Sequence, residues 1–127
     1  MFQYTFKIYY EDTDSGGVVY YANYLKFIER ARTEMINELG FTLTTLLKDY
    51  DRLFLVKKIE CDYIESCKLE DRLNVQSRVL LLKNASFELE QNILKQNNFI
   101  FRSKILMVCV NSRGAPCKIP SELHSLM

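Results

Sequence analysis

Tyr9-Tyr10-Glu11-Asp12-Thr13-Asp14-Ser15-Gly16-Gly17-Val18-Val19-Tyr20-Tyr21-Ala22-Asn23-Tyr24 runs on into Leu25 to Arg32, and the rest of the chain is organised around this stretch. An alternating apolar segment leads into it. Glu11, Asp12, Asp14 and the pair Gly16-Gly17 then fall within seven residues, and a helical pattern starts directly afterwards. A strand, an acidic glycine turn and a helix N-terminus thus follow in succession. The first N–H groups of a helix lack an intrahelical acceptor and carry partial positive charge. A carboxylate beside them stays ionised, and a developing oxyanion could sit on them.

Upstream, Phe2, Tyr4, Phe6, Ile8 and Tyr10 share one face against Gln3, Thr5, Lys7 and Tyr9, which predicts a half-buried strand over 2–10. Downstream, a helix starts between Val19 and Tyr24. Its apolar stripe is Tyr24, Phe27, Ile28, Ala31, Met35 and Leu39, and Gly40 ends it. Residues 42–49 read as a short second helix that its threonines weaken. An extended segment follows from Leu53 through Tyr63, and Ser66 to Asp71 reads as a connection. Strands over 72–82, 86–95 and 99–110 then form a meander, with turns at Lys83-Asn84-Ala85 and Asn97-Asn98. Short turns predict antiparallel pairing for the strands after the helix. The expected architecture is α+β: one antiparallel sheet on one long helix. The tail from Ile119 carries a turn of helix after Pro120.

The 127 residues suggest one domain over 1–127, with ordinary globular composition: 48% hydrophobic and 26% charged. A net charge of +1 gives no basic footprint for nucleic acid. Cysteines stand at 61, 67, 109 and 117 without a Cys-x-x-Cys pair, and the one histidine is His124, so no metal site is expected. No secretory leader and no apolar run of bilayer length are visible, and the thiols read as reduced in a cytoplasmic protein.

The acidic loop admits several readings on its own. A calcium loop would begin at Asp12, but Gly16 stands where a third oxygen ligand belongs and Asn23 where a bidentate Glu belongs. A magnesium site for nucleotide-sugar chemistry lacks a phosphate-binding loop. The acids could simply solvate a turn that the glycines permit. The remaining reading is a carboxylate aimed at a carbonyl held by helix-start amides.

The longer pattern, Asp-x-Asp-x-x-Gly-x-Val-x-(aromatic)-x-Asn-Tyr followed by Glu29-Arg30-Ala31-Arg32-Thr33-Glu34, resembles the 4-hydroxybenzoyl-CoA thioesterase-like family, and most of all its YbgC-type acyl-CoA thioesterases. The likeness is dense from Tyr9 to Glu34 and looser beyond. It implies the hotdog fold, a long central helix wrapped by a five-stranded antiparallel sheet, and hydrolysis of acyl-CoA without a cofactor. It also implies an active site built between two subunits, in a homodimer or dimer of dimers. The family's catalytic carboxylate falls on Asp14, as nucleophile or general base. Its carbonyl-polarising backbone N–H falls near Tyr21. Many YbgC-type members carry His there, so this chain forgoes an imidazole and keeps the backbone donor.

Further expectations extend from the same resemblance. Asp12 shapes the turn, Gly16 and Gly17 allow close approach of the thioester, and Asn23 holds the loop. Val19, Tyr20 and Tyr24 join the substrate-binding set, and Tyr20, Tyr24 and Phe27 line the acyl channel. Lys58, Lys83 and Asn84 meet the CoA phosphates, with Lys57, Arg113 and Lys118 as further cations. A non-catalytic module that binds acyl groups or acyl carrier protein, linked to envelope or lipid metabolism, is the rival from another class. A hotdog dehydratase would need a histidine beside an acid, and His124 lies in the tail.

Overall fold

Alternation makes β1 (Phe2–Lys7), and the strand stops sooner than its pattern suggests. Ile8 stays buried, but Tyr9 to Asp12 wind into a 3-10 turn, which leaves Tyr10 exposed instead of on the inner face. The computed structural model describes all residues, 1–127. After the acidic loop come α1 (Asn23–Glu38), α2 (Leu43–Tyr50), β2 (Leu53–Tyr63), β3 (Arg72–Leu82), β4 (Ser86–Lys95), β5 (Asn98–Val110) and a short α3 (Ser121–His124).

Helix α1 has sixteen residues, about 24 Å. It buries Tyr24, Phe27, Ile28, Ala31, Met35 and Ile36, packing on the sheet at β1 and β3. Its end is a glycine-dependent cap: Gly40 has φ +95°, its N–H donates to Asn37 O, and Phe41 N–H reaches back to Ile36 O. Helix α2 forms because of its threonines. Thr45 N–H donates to Thr42 Oγ1 at 3.0 Å and Thr42 N–H donates to Thr45 Oγ1 at 3.1 Å, a reciprocal N-terminal cap.

The five strands are all antiparallel, in the order β1-β3-β4-β5-β2. The meander β3-β4-β5 is as expected. Strand β2 does not lie beside its successor β3; it pairs with β5 at the far edge, because β3 spends its other edge on β1. The link from β2 to β3 therefore crosses the end of the sheet. Ile64 and Glu65 donate to Ile100 O, and Lys95 pairs with Asp71 at 2.8 Å. This crossing passes beneath the acidic loop, where Val19 N–H donates to Cys67 O and Val18 bridges Lys68.

The core is apolar except for one polar row. Ser77, Gln91 and Ser103 face one another across β3, β4 and β5. Gln91 is fully buried and fully used: Nε2 donates to Ile28 O and Ser77 Oγ, and Arg32 donates to its Oε1 at 3.0 Å. Burial pulls the Arg32 guanidinium below its usual range, with Glu29 acting in the opposite direction. The helix is thus pinned to the sheet by hydrogen bonds as well as by packing.

Candidate functional site

The acidic loop closes on itself. Thr13 bridges Val19, Asp14 N–H donates to Val18 O at 2.8 Å, and Gly17, with φ +83°, donates to Asp14 O. Asp12 faces inward and holds the turn, its Oδ2 accepting Tyr9 N–H at 2.9 Å. Its backbone oxygen takes Asn23 Nδ2 at 2.8 Å and Tyr20 N–H at 3.2 Å. The two acids are thereby sorted. Asp12 ties the loop to the start of α1, while Asp14 stays exposed. The Asp14 Oδ1 accepts Gly16 N–H at 2.8 Å, and a Cβ at Gly16 would stand 3.2 Å from that oxygen. Gly16 is therefore the residue that lets the carboxylate fold over the turn.

The helix start supplies the donors. Asn23 N–H donates to Tyr20 O at 2.9 Å, Tyr24 N–H to Tyr21 O at 3.4 Å and Leu25 N–H to Ala22 O at 3.2 Å. The N–H groups of Tyr21 and Ala22 donate to nothing in the chain. Two consecutive backbone donors are thus free directly after the carboxylate loop, at the positive end of α1.

Aromatic rings surround this point. Tyr20 and Tyr21 are exposed, with ring centroids 4.9 Å apart, and Tyr63 from β2 meets Tyr21 edge-on at 6.1 Å. Behind them Tyr24 is only 3% exposed, stacks on Phe101 at 5.4 Å and shares a hydrogen bond with Cys67 Sγ at 3.3 Å. Within the single chain Tyr24, Phe27 and Val19 are all buried members of the core. Burial first of all pushes the Cys67 thiol up, so the sulfur nearest the loop is a poor nucleophile. An apolar groove runs along α1 beside the edge strand β2. Two hollows of about 270 and 240 Å³ adjoin there, sharing Glu29, Arg32 and Val56. The deeper one is walled by Met35, Phe54 and Phe87.

The expected phosphate contacts are scattered in a single chain. Lys58 lies midway along β2, paired with Glu60 at 3.0 Å. Lys83 and Asn84 form the β3–β4 turn, a full β3 length from the acidic loop, roughly 30 Å. One chain does not bring them to Asp14, because β3 starts beside the loop and runs away from it. The cation the fold does set beside the loop is Lys68, which sequence reasoning placed in a plain connection. His124 shares a hydrogen bond with Lys83 O at 3.2 Å, at the end of β3 remote from the loop, and has no carboxylate partner there. No group of three or more His, Cys, Asp and Glu side chains is arranged to hold a metal ion.

The model of the thioesterase-like superfamily matches residues 9–126. Acyl-CoA thioesterase YbgC of Haemophilus influenzae is 39% identical over 125 residues, covering 98% of this chain and 92% of that one. A gentisyl-coenzyme A thioesterase structure superposes with TM-score 0.87 at 31% identity, covering 95% of this chain and 98% of the other. The 1,4-dihydroxy-2-naphthoyl-CoA thioesterase of Synechocystis superposes with TM-score 0.90 at 20% identity, over 98% of this chain and 93% of its own, and shares the fold. The expected hotdog architecture is the observed one.

Proposed function

This chain belongs to the thioesterase-like superfamily, and from that premise we propose that it is an acyl-CoA thioesterase, hydrolysing fatty or aromatic acyl-CoA to free acid and CoA. The observation that carries the reading is the pair of unpaired N–H groups on Tyr21 and Ala22, joined through Asp12 and Asn23 to the loop of Asp14. Asp14 either attacks the thioester carbonyl or takes a proton from the attacking water. In both routes the carbonyl oxygen gains negative charge, the two amides hold it, and the thiolate leaves as CoA; where Asp14 itself attacks, water then splits the mixed anhydride, which frees the acid and restores the carboxylate. Gly16 and Gly17 let the carbonyl approach, Tyr20 and Tyr21 flank it, and Asn23 keeps loop and helix in register.

The acyl tail follows the apolar groove along α1. Strand β2 forms an eleven-residue edge with Leu55, Val56 and Ile59 exposed, which suits pairing with a second copy. In the resulting homodimer, or dimer of dimers, the groove is roofed, and Lys58, Lys83 and Asn84 of the second copy reach the CoA phosphates. Acyl carrier protein is a further carrier compatible with this site. No helix is long and apolar enough to cross a membrane, and the four free thiols suit a reducing cytoplasm.

Thiol release from acyl-CoAs of graded chain length, with an aromatic acyl-CoA beside them, tests the reading. Equimolar CoA and acid, with a rate maximum at one acyl class, is the expected outcome. Tight binding without release on every acyl-CoA would make the chain an acyl binder instead.

A further inference from the structure

The first turn of α1 is incompletely tied by its own backbone. In a full α-turn Tyr21 O would accept Leu25 N–H, but that N–H goes to Ala22 O, and Tyr21 O receives only Tyr24 N–H at 3.4 Å. Its strong bond comes from outside the helix. The phenol of Tyr63, the last residue of β2, donates to Tyr21 O at 3.0 Å. The ring that carries this hydroxyl is held on three sides, by Tyr24 at 5.2 Å, Phe101 at 5.1 Å and Tyr21 at 6.1 Å. The placement of the hydroxyl is therefore set by ring packing, although Tyr63 remains 45% exposed, and an ordinary phenol is a protonated donor at neutral pH.

We propose that Tyr63 is a positioning residue for the hydrolysis: its phenol fixes and polarises the Tyr21–Ala22 peptide, whose N–H is one of the two oxyanion donors. This rests on the thioesterase reading above. Donation to a peptide oxygen draws charge through the amide and strengthens its N–H as a donor. The neighbouring Tyr20–Tyr21 peptide receives the same treatment from Asn23 N–H, at 2.9 Å on Tyr20 O. Two successive peptides thus have their oxygens engaged within the chain and their N–H groups left for substrate. One oxygen is engaged by the helix, the other by β2 across forty-two residues of sequence.

Tyr63→Phe keeps the ring and removes the hydroxyl. It is expected to lower kcat about tenfold with KM within about twofold of wild type, since the donor is used chiefly in the transition state. Tyr63→Leu, which also removes the ring, is expected to lose more activity and to melt earlier. In the free protein, the Ala22 amide proton of Tyr63→Phe is expected to move upfield. Wild-type kcat in Tyr63→Phe, a matching change in KM, or an unmoved Ala22 amide would each overturn the role. A wild-type chain that releases no thiol would sink the thioesterase reading instead, and the amide shift would still decide whether Tyr63 polarises the peptide.

Discussion

Asp14→Asn is expected to lower kcat for acyl-CoA hydrolysis by about 10²–10⁴-fold, the range for loss of a positioned acid–base group. Asparagine keeps the shape and an oxygen that can still accept the Gly16 N–H, which in the wild type lies 2.8 Å from Asp14 Oδ1. What it loses is the basic electron pair. The side chain is exposed and makes no ion pair, so stability should stay within about 0.5 kcal/mol of wild type. Steady-state kinetics beside a thermal melt separates the two effects. A large fall in the melting point would mean that the acid serves the turn, as Asp12 does.

Phe101→Ala carries the largest expected loss of stability. Phe101 is fully buried in β5, stacks on Tyr24 at an interplanar angle of 16° and meets Tyr63 at 71°. Removing a buried phenylalanine costs about 3–5 kcal/mol through lost transfer energy and the cavity left behind. That is a large share of the roughly 5–15 kcal/mol that holds a domain folded. The melting point should fall by roughly 10–25 °C in a calorimetric scan. Phe99, on the same strand but 37% exposed beneath the Arg102 guanidinium, provides the comparison: Phe99→Ala should cost no more than about 1 kcal/mol.

Local pattern carried the long helix, its Gly40 stop and the three-strand meander, because each is written in consecutive residues. The roles expected of Asp12 and Asp14 came from the family resemblance, since the loop's own pattern left several readings open; the structure sets Asp12 inward, with its Oδ2 on Tyr9 N–H, and leaves Asp14 exposed. What escaped was set by distant partners. Strand β2 was placed by the free edge of β5, which no local signal announces. Gln91 sits among apolar positions of β4 because Ser77 on β3 and Ile28 and Arg32 on α1 answer its amide. Tyr24 begins the apolar helix stripe and also belongs to the loop motif; depth, which the motif does not record, assigns it to the core. Lys68 and Tyr63 come to the site only because the β2–β3 link crosses beneath the loop.

The central claim is that a thioester carbonyl rests on the N–H groups of Tyr21 and Ala22 beside Asp14. An amide-resolved NMR titration of the intact chain tests it most directly, using an acyl-CoA analogue in which a methylene replaces the thioester sulfur. Such a ketone keeps the carbonyl and cannot be hydrolysed. The Tyr21 and Ala22 amides should shift downfield, with the Gly16 amide moving alongside them. Saturable binding that leaves these amides in place and shifts others instead would contradict the claim.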